Sequence, residues 1–167
     1  KKGLFIVDTG APQLILNKAH FEGFENHYSV ATGVGDDIPN SGDFYFKKLI
    51  INSLEIKNQM ARIINMSHLE KSKGIEILGL AGFSIFRKHE VHFDFLNKRL
   101  ILFPMDKKGN SNTNFHPPSS EIPFKMPGHL PYISTFIGDQ KINLGLDSGT
   151  EATVILRSVF KNKIEHF

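Results

Sequence analysis

The chain has 167 residues, enough for one or two domains with a sizeable core, and its 40% hydrophobic and 22% charged residues are ordinary for a globular polypeptide. It has no cysteine, which excludes disulfides, Cys-ligated zinc and thiol catalysis. The net charge of +3 comes from scattered Lys and Arg without a basic, aromatic-interleaved stripe, so nucleic acid is not an expected partner, and no apolar run approaches a membrane span.

Taken in chain order, the first predicted element is the apolar strand Leu4-Phe5-Ile6-Val7, which runs straight into Asp8-Thr9-Gly10-Ala11. Leu14-Ile15-Leu16 follows, and Asn17 to Phe21 reads as a short helical turn. Ala31 to Asp37 reads as a loop between strand-like segments; its Gly33-Val34-Gly35 is no nucleotide fingerprint, because neither the third spaced glycine nor a helix follows. Strands are predicted at Phe44 to Ile51, at Leu54-Glu55-Ile56 and at Ala61 to Met66, with polar breaks at Asn52-Ser53 and Lys57-Asn58. Ser67 to Gly74 reads as a charged loop, Ile75 to Phe83 as an apolar run containing Ile77-Leu78-Gly79, and Ser84 to Lys88 as a short helix.

His89 to Phe95 alternates, with Val91, Phe93 and Phe95 opposed to His92 and Asp94. With a turn at Asn97-Lys98 and a return over Arg99 to Phe103, this predicts a hairpin with one face in the core. His89-Glu90-Val91-His92 is not the H-E-x-x-H pattern, and a strand points its two histidines to opposite faces, so no metal site is assigned. Met105 to Pro127 is polar and Pro-rich and reads as a linker. Tyr132 to Ile137, a Gly138-Asp139 turn and Ile142 to Leu146 predict a second hairpin, which runs into Asp147-Ser148-Gly149-Thr150.

The two acid-hydroxyl-glycine loops are therefore a duplication. Their aspartates are 139 positions apart, and each is followed by an apolar triplet, Leu14-Ile15-Leu16 or Val154-Ile155-Leu156, and by a phenylalanine, Phe21 or Phe160, 13 residues after the aspartate. An apolar strand is a costly place to end on a carboxylate unless the acid is paired and hydrogen-bonded. Two such loops facing each other make a carboxylate pair that cannot both ionise, which supplies a general base and a general acid within reach of one water.

Asp8-Thr9-Gly10-Ala11 resembles the active-site loop of aspartic proteases, in particular the retropepsin-like families of viruses and bacteria, and Asp147-Ser148-Gly149-Thr150 resembles the second loop of a two-lobed, pepsin-like member. The resemblance covers most of residues 3–103 and restarts near Leu130. It implies an all-β fold: a retropepsin-like barrel lobe over residues 1–104, the linker at 105–127, and the start of a second, related lobe over 128–167. It also implies an aspartic endopeptidase acting on peptide or protein substrates, with Asp8 and Asp147 as the catalytic dyad and with no cofactor, metal or covalent intermediate. Thr9 and Ser148 would cross-link the loops, Gly10 and Gly149 would permit the turns, and Ala11 and Thr150 would flank the aspartates. Gly33, Val34 and Gly35 would form a flap over the substrate, and Ile77-Leu78-Gly79 would be the lobe-closing strand beside the active-site loop.

Aligned on the aspartates, Lys1 falls inside the turn of the second hairpin, and Phe167 stops the second copy 20 residues after its aspartate. The expectation is a piece of a longer polypeptide, inactive by itself, whose unpaired strand edges favour a homodimer or strand swap. The compartment is not fixed; a secreted or cell-envelope setting is the expectation. Two other arrangements are open: a homodimer in which Asp8 of two chains meets, and a non-catalytic protease-like domain that binds peptides or assembles a larger complex. Finally, the resemblance implies that Thr150 donates to Asp147 whereas Ala11 offers Asp8 no hydroxyl, which would favour ionised Asp147 and leave the shared proton on Asp8.

Overall fold

The computed structural model describes residues 2–21, 28–32, 37–52, 54–113 and 119–155. Its elements, in chain order, are β1 (Leu4–Val7), β2 (Leu14–Asn17), β3 (Tyr28–Thr32), β4 (Asp37–Ile51), β5 (Leu54–Ile64), α1 (Ser67–Lys73), β6 (Ile77–Ala81), α2 (Phe83–Phe86), β7 (His89–Asp94), β8 (Arg99–Pro104), β9 (Tyr132–Ile137) and β10 (Gln140–Gly145). Among the described residues strands predominate and helices are few and short, as an all-β chain requires. Six strands form one sheet in the order β1-β6-β2-β5-β4-β3, and β7-β8 and β9-β10 form separate two-stranded sheets. The expected barrel is corrected here: among the described residues the sheets stay open and none closes on itself. No helix among the described residues is long and apolar enough to cross a membrane.

The sheet order places the first candidate loop. β6 lies between β1 and β2, parallel to β1 (Phe5↔Gly79, Ile6↔Leu80, Val7↔Ala81) and antiparallel to β2 (Ile15↔Leu80, Leu16↔Gly79). The chain leaving β1 therefore cannot turn directly into β2; it must pass around the end of β6. Asp8 N–H donates to the Ala81 carbonyl at 3.1 Å, and Phe83 and Ser84 N–H donate to the carbonyls of Ala11 and Pro12, so backbone bonds hold residues 8–12 over the β6–α2 junction. Gly79 makes the wedge possible, since a Cβ there would collide with the Ile15 carbonyl.

Period-two burial builds the core. Leu14 and Leu16 of β2, Phe46 of β4 and Ala61 and Ile63 of β5 meet Ile85 and Phe86 of α2, with Tyr45 and Met60 on the outer face. Each large apolar side chain buried this way stabilises the fold by roughly 1.5–3 kcal/mol. A fully buried polar group sits beside this core. Asn17 Oδ1 accepts from Met66 N–H at 3.0 Å and Ala19 N–H at 3.2 Å, and its Nδ2 donates to the Ile77 carbonyl at 2.9 Å. One amide thus ties the end of β2 and the short 3-10 turn at Lys18–His20 to the approach to α1 and the start of β6.

Several local expectations are revised. Lys57-Asn58 does not break the strand: β5 is continuous, with Asn58 at φ 53 and the β4 register unchanged on either side (Lys48↔Lys57, Phe46↔Gln59). Asn tolerates this conformation because its short polar side chain reduces the left-handed penalty. Ser67 to Lys73 is a helix, not a loop. Glu70 lies in its first turn and Lys71 and Lys73 in its last, and Gly74 at φ 64 closes it by donating to the Glu70 carbonyl. Phe93 and Phe95 do not enter the core: Phe95 is 85% exposed and Phe93 39%. The strand stops at Asp94 because that carboxylate gathers the N–H of Asn97, its Nδ2 and Arg99, which makes Phe95 and Leu96 the tip of the turn. The same bonds, the Asn97 N–H first, hold the Asp94 carboxyl down at about 2. The second hairpin is as expected, with Ile137 opposite Gln140 across a two-residue Gly138-Asp139 turn.

Replacing Asn17 by Ala leaves the buried Met66 N–H and Ile77 carbonyl without their partner. At about 1–3 kcal/mol for each of the two orphaned groups, the variant should lose roughly 2–6 kcal/mol of unfolding free energy, measured by urea denaturation. A loss below about 1 kcal/mol would show that the amide is not the tie described.

Candidate active site

β1 delivers Asp8 and β10 delivers Asp147 to the same place, and two hydroxyls fasten the loops to each other. Thr9 Oγ1 donates to the Leu146 carbonyl at 2.9 Å and accepts from Ser148 N–H at 3.0 Å. Ser148 Oγ donates to the Val7 carbonyl at 3.0 Å and accepts from Thr9 N–H at 3.1 Å. The pattern is reciprocal: each hydroxyl bonds the residue before the opposite aspartate and the N–H of the opposite hydroxyl residue. Only a side chain with one short donor-acceptor oxygen serves both roles, which is why Thr and Ser stand here.

The glycines set the carboxylates face to face. A Cβ on Gly10 would lie 2.5 Å from Asp147 Oδ2, and one on Gly149 would lie 2.5 Å from Asp8 Cγ, so each glycine backbone packs directly against the other loop's acid. Within its own loop, Asp8 Oδ1 accepts from Gly10 N–H at 2.9 Å and Ala11 N–H at 3.0 Å, and Asp147 Oδ1 accepts from Gly149 N–H at 2.7 Å. Both carboxyl groups are half-buried.

Burial raises the Asp8 carboxyl above its ordinary value, and the facing Asp147 charge and a hydrogen bond shared with Asp147 raise it further; the Ala11 and Gly10 N–H groups oppose this and do not overcome it. The direction favours the protonated form of Asp8. The cause differs from the one expected at Thr150, whose hydroxyl donates to the Ala152 carbonyl at 3.0 Å and not to Asp147. Desolvation is the first cause of the raised Asp8 carboxyl.

Asp8, Thr9, Gly10, Ala11, Asp147, Ser148 and Gly149 are brought together, and Thr150 lies beside them. Gly33, Val34 and Gly35, expected as a flap, lie outside the described residues; β3 and β4 pair on either side of them (Thr32↔Asp37). Two residues at the junction escaped the sequence reading. His129, half-buried just before β9, donates from Nε2 to the Gly10 carbonyl at 2.9 Å. Lys73, at the end of α1, makes an ion pair with Glu151. Neither position has a periodicity or motif that could have marked it, because each contact joins segments distant in sequence. Among the described residues no group of three His, Asp or Glu stands where it could hold a metal ion.

No family model matches this chain, and no curated protein or solved structure matches it.

Two outcomes follow from this geometry. Each hydroxyl should contribute about 1–2 kcal/mol, so Thr9→Val and Ser148→Ala should each lower unfolding free energy by that amount. The double variant should lose less than the sum, because loosening the junction at one hydroxyl already weakens the bonds made by the other; strict additivity would contradict the coupling of the two loops. The second outcome concerns pH. Because the folded-state Asp8 value is raised, its contribution to stability is fully present below the unfolded-state value and is lost as pH rises through the folded-state value. Asp8→Asn removes that loss, so the melting temperature of the variant relative to wild type should climb across this window and level off above it. A gap independent of pH would contradict the raised Asp8.

Proposed function

We propose that this chain carries the catalytic dyad of an aspartic endopeptidase of the retropepsin-like kind, with residues 1–104 in one lobe and 128–167 in a related one. The observation that carries the reading is the reciprocal Thr9–Ser148 cross-link, which holds Asp8 and Asp147 face to face with each glycine against the opposite carboxylate. It favours a dyad formed within one chain over a homodimer of Asp8 loops, since Asp147 occupies the position a second Asp8 would take. Two intact acids whose environments differ also suit catalysis better than a passive peptide-binding role.

The chemistry follows from a carboxyl pair that shares one proton. A water held between the carboxyl groups loses a proton to Asp147 as its oxygen attacks the scissile peptide carbonyl. Protonated Asp8 donates to the carbonyl oxygen, giving a neutral tetrahedral diol. Return of a proton to the amide nitrogen, with loss of a proton from one hydroxyl, breaks the C–N bond and releases an amine and a carboxylic acid. Burial, which keeps the Asp8 proton in place, is also what would let the site work above the ordinary carboxylate range. Extended peptides with apolar side chains around the cleaved bond are the substrate class the family resemblance implies.

Asp8→Asn and Asp147→Asn should each lower kcat on a peptide library by at least about 10²–10⁴-fold with the fold retained. Pepstatin-like transition-state mimics should inhibit, and metal chelators should not. Turnover that survives both single substitutions would remove the dyad from the mechanism.

A further inference from the structure

We propose that His129 is a positioning residue for Asp8, acting through the Gly10–Ala11 peptide group to hold and polarise the N–H that binds the Asp8 carboxylate. The inference deepens the reading of Asp8 and Asp147 as the working pair and rests on it.

The atoms form a short relay. His129 Nε2 lies 2.9 Å from the Gly10 carbonyl oxygen. That oxygen can only accept, so the imidazole carries its proton on Nε2 and donates. The Gly10 carbonyl and the Ala11 N–H belong to one planar peptide group. On the other side of that plane, Ala11 N–H donates to Asp8 Oδ1 at 3.0 Å. A donor on the oxygen draws electron density from the nitrogen, so the N–H becomes a stronger donor to the carboxylate. The bond also fixes the tilt of the plane, and with it the aim of the N–H at Oδ1.

The placement is specific to one loop. His129 is a half-buried side chain reaching from the residues ahead of β9 across to the loop after β1, so the second segment acts on the first loop's acid. The titratable group facing Asp8 is Asp147 on the opposite loop, and β6 meets Asp8 with the apolar Ala81, whose carbonyl takes the Asp8 N–H. A stronger N–H on Oδ1 favours the ionised form of Asp8 and so opposes the effect of burial. His129 therefore limits how firmly Asp8 keeps its proton, which governs how readily that proton is passed to substrate and recovered.

The test uses His129→Phe, which keeps a ring but has no donor, and His129→Gln, whose Nε2 amide can donate from nearly the same position. Carbon-13 carboxyl shifts of labelled aspartate follow the titration of the pair, with Asp8→Asn assigning the steps. The upper of the two macroscopic steps belongs to the pair, and a change in the N–H bonds to Asp8 moves it. His129→Phe should move that step upward by roughly a few tenths of a pH unit, and His129→Gln should return it to the wild-type position. An unmoved upper step in His129→Phe overturns the proposal, as does a His129→Gln variant that shifts as far as His129→Phe. The titration needs no turnover, so the two readings fail separately. A His129-dependent step in a protein without peptidase activity would sink the functional reading alone. An active enzyme whose upper step ignores His129 would sink this one alone.

Discussion

The structure depends on a strand-order constraint: β6 occupies the space between β1 and β2. Backbone groups on both neighbours are satisfied by it, so the connection from β1 to β2 is expelled at the end of β6 and held there by bonds to Ala81, Phe83 and Ser84. A carboxylate on a free loop would be mobile and fully solvated. Here the residue after β1 has its own N–H bonded to β6, and its side chain emerges at a fixed point on the sheet's edge. The core that supports this point is built from alternate residues of β2, β4 and β5 closed by α2, and Asn17 locks the opposite end of the same strands.

A carboxylate fixed in this way becomes chemically useful only against a second one. Two like charges repel, and half-burial strengthens the repulsion by lowering the local dielectric. The hydroxyl cross-link holds the loops together against that repulsion, and it does so with neutral groups that have no charge of their own to screen. Glycine at both positions lets the acids face each other across a bare backbone. Sharing one proton resolves the remaining conflict, and burial favours the protonated form of Asp8. His129 and Lys73 add further ties between the segments at the same junction.

The sequence made some of this legible and hid the rest for identifiable reasons. The two acid-hydroxyl-glycine loops, the β9–β10 hairpin with its Gly138-Asp139 turn and the α2 turn are local in chemistry, and each could be read from a few consecutive residues. Lys57-Asn58 was misleading because polar residues usually end strands, whereas here the β4 register carries the pairing through them. Ser67 to Gly74 hid a helix whose stop signal, Gly74 after Lys71 and Lys73, was outweighed by its charge. Phe95 alternated correctly with its neighbours, yet Asp94 captured the turn and left the ring in solvent.

What the sequence determined by itself is the strand-rich class, the identity of the duplicated loops and the residue types able to cross-link them, because propensity, turn chemistry and motif spacing act over a few residues. Tertiary structure decided three things. It placed Asp8 and Asp147 face to face, raised the Asp8 carboxyl by burial, and sent the Thr150 hydroxyl to Ala152 instead of to Asp147. Each of these is set by how much water surrounds a group and which distant atoms lie within about 3 Å of it. Those quantities exist only once residues more than a hundred positions apart have been folded against one another.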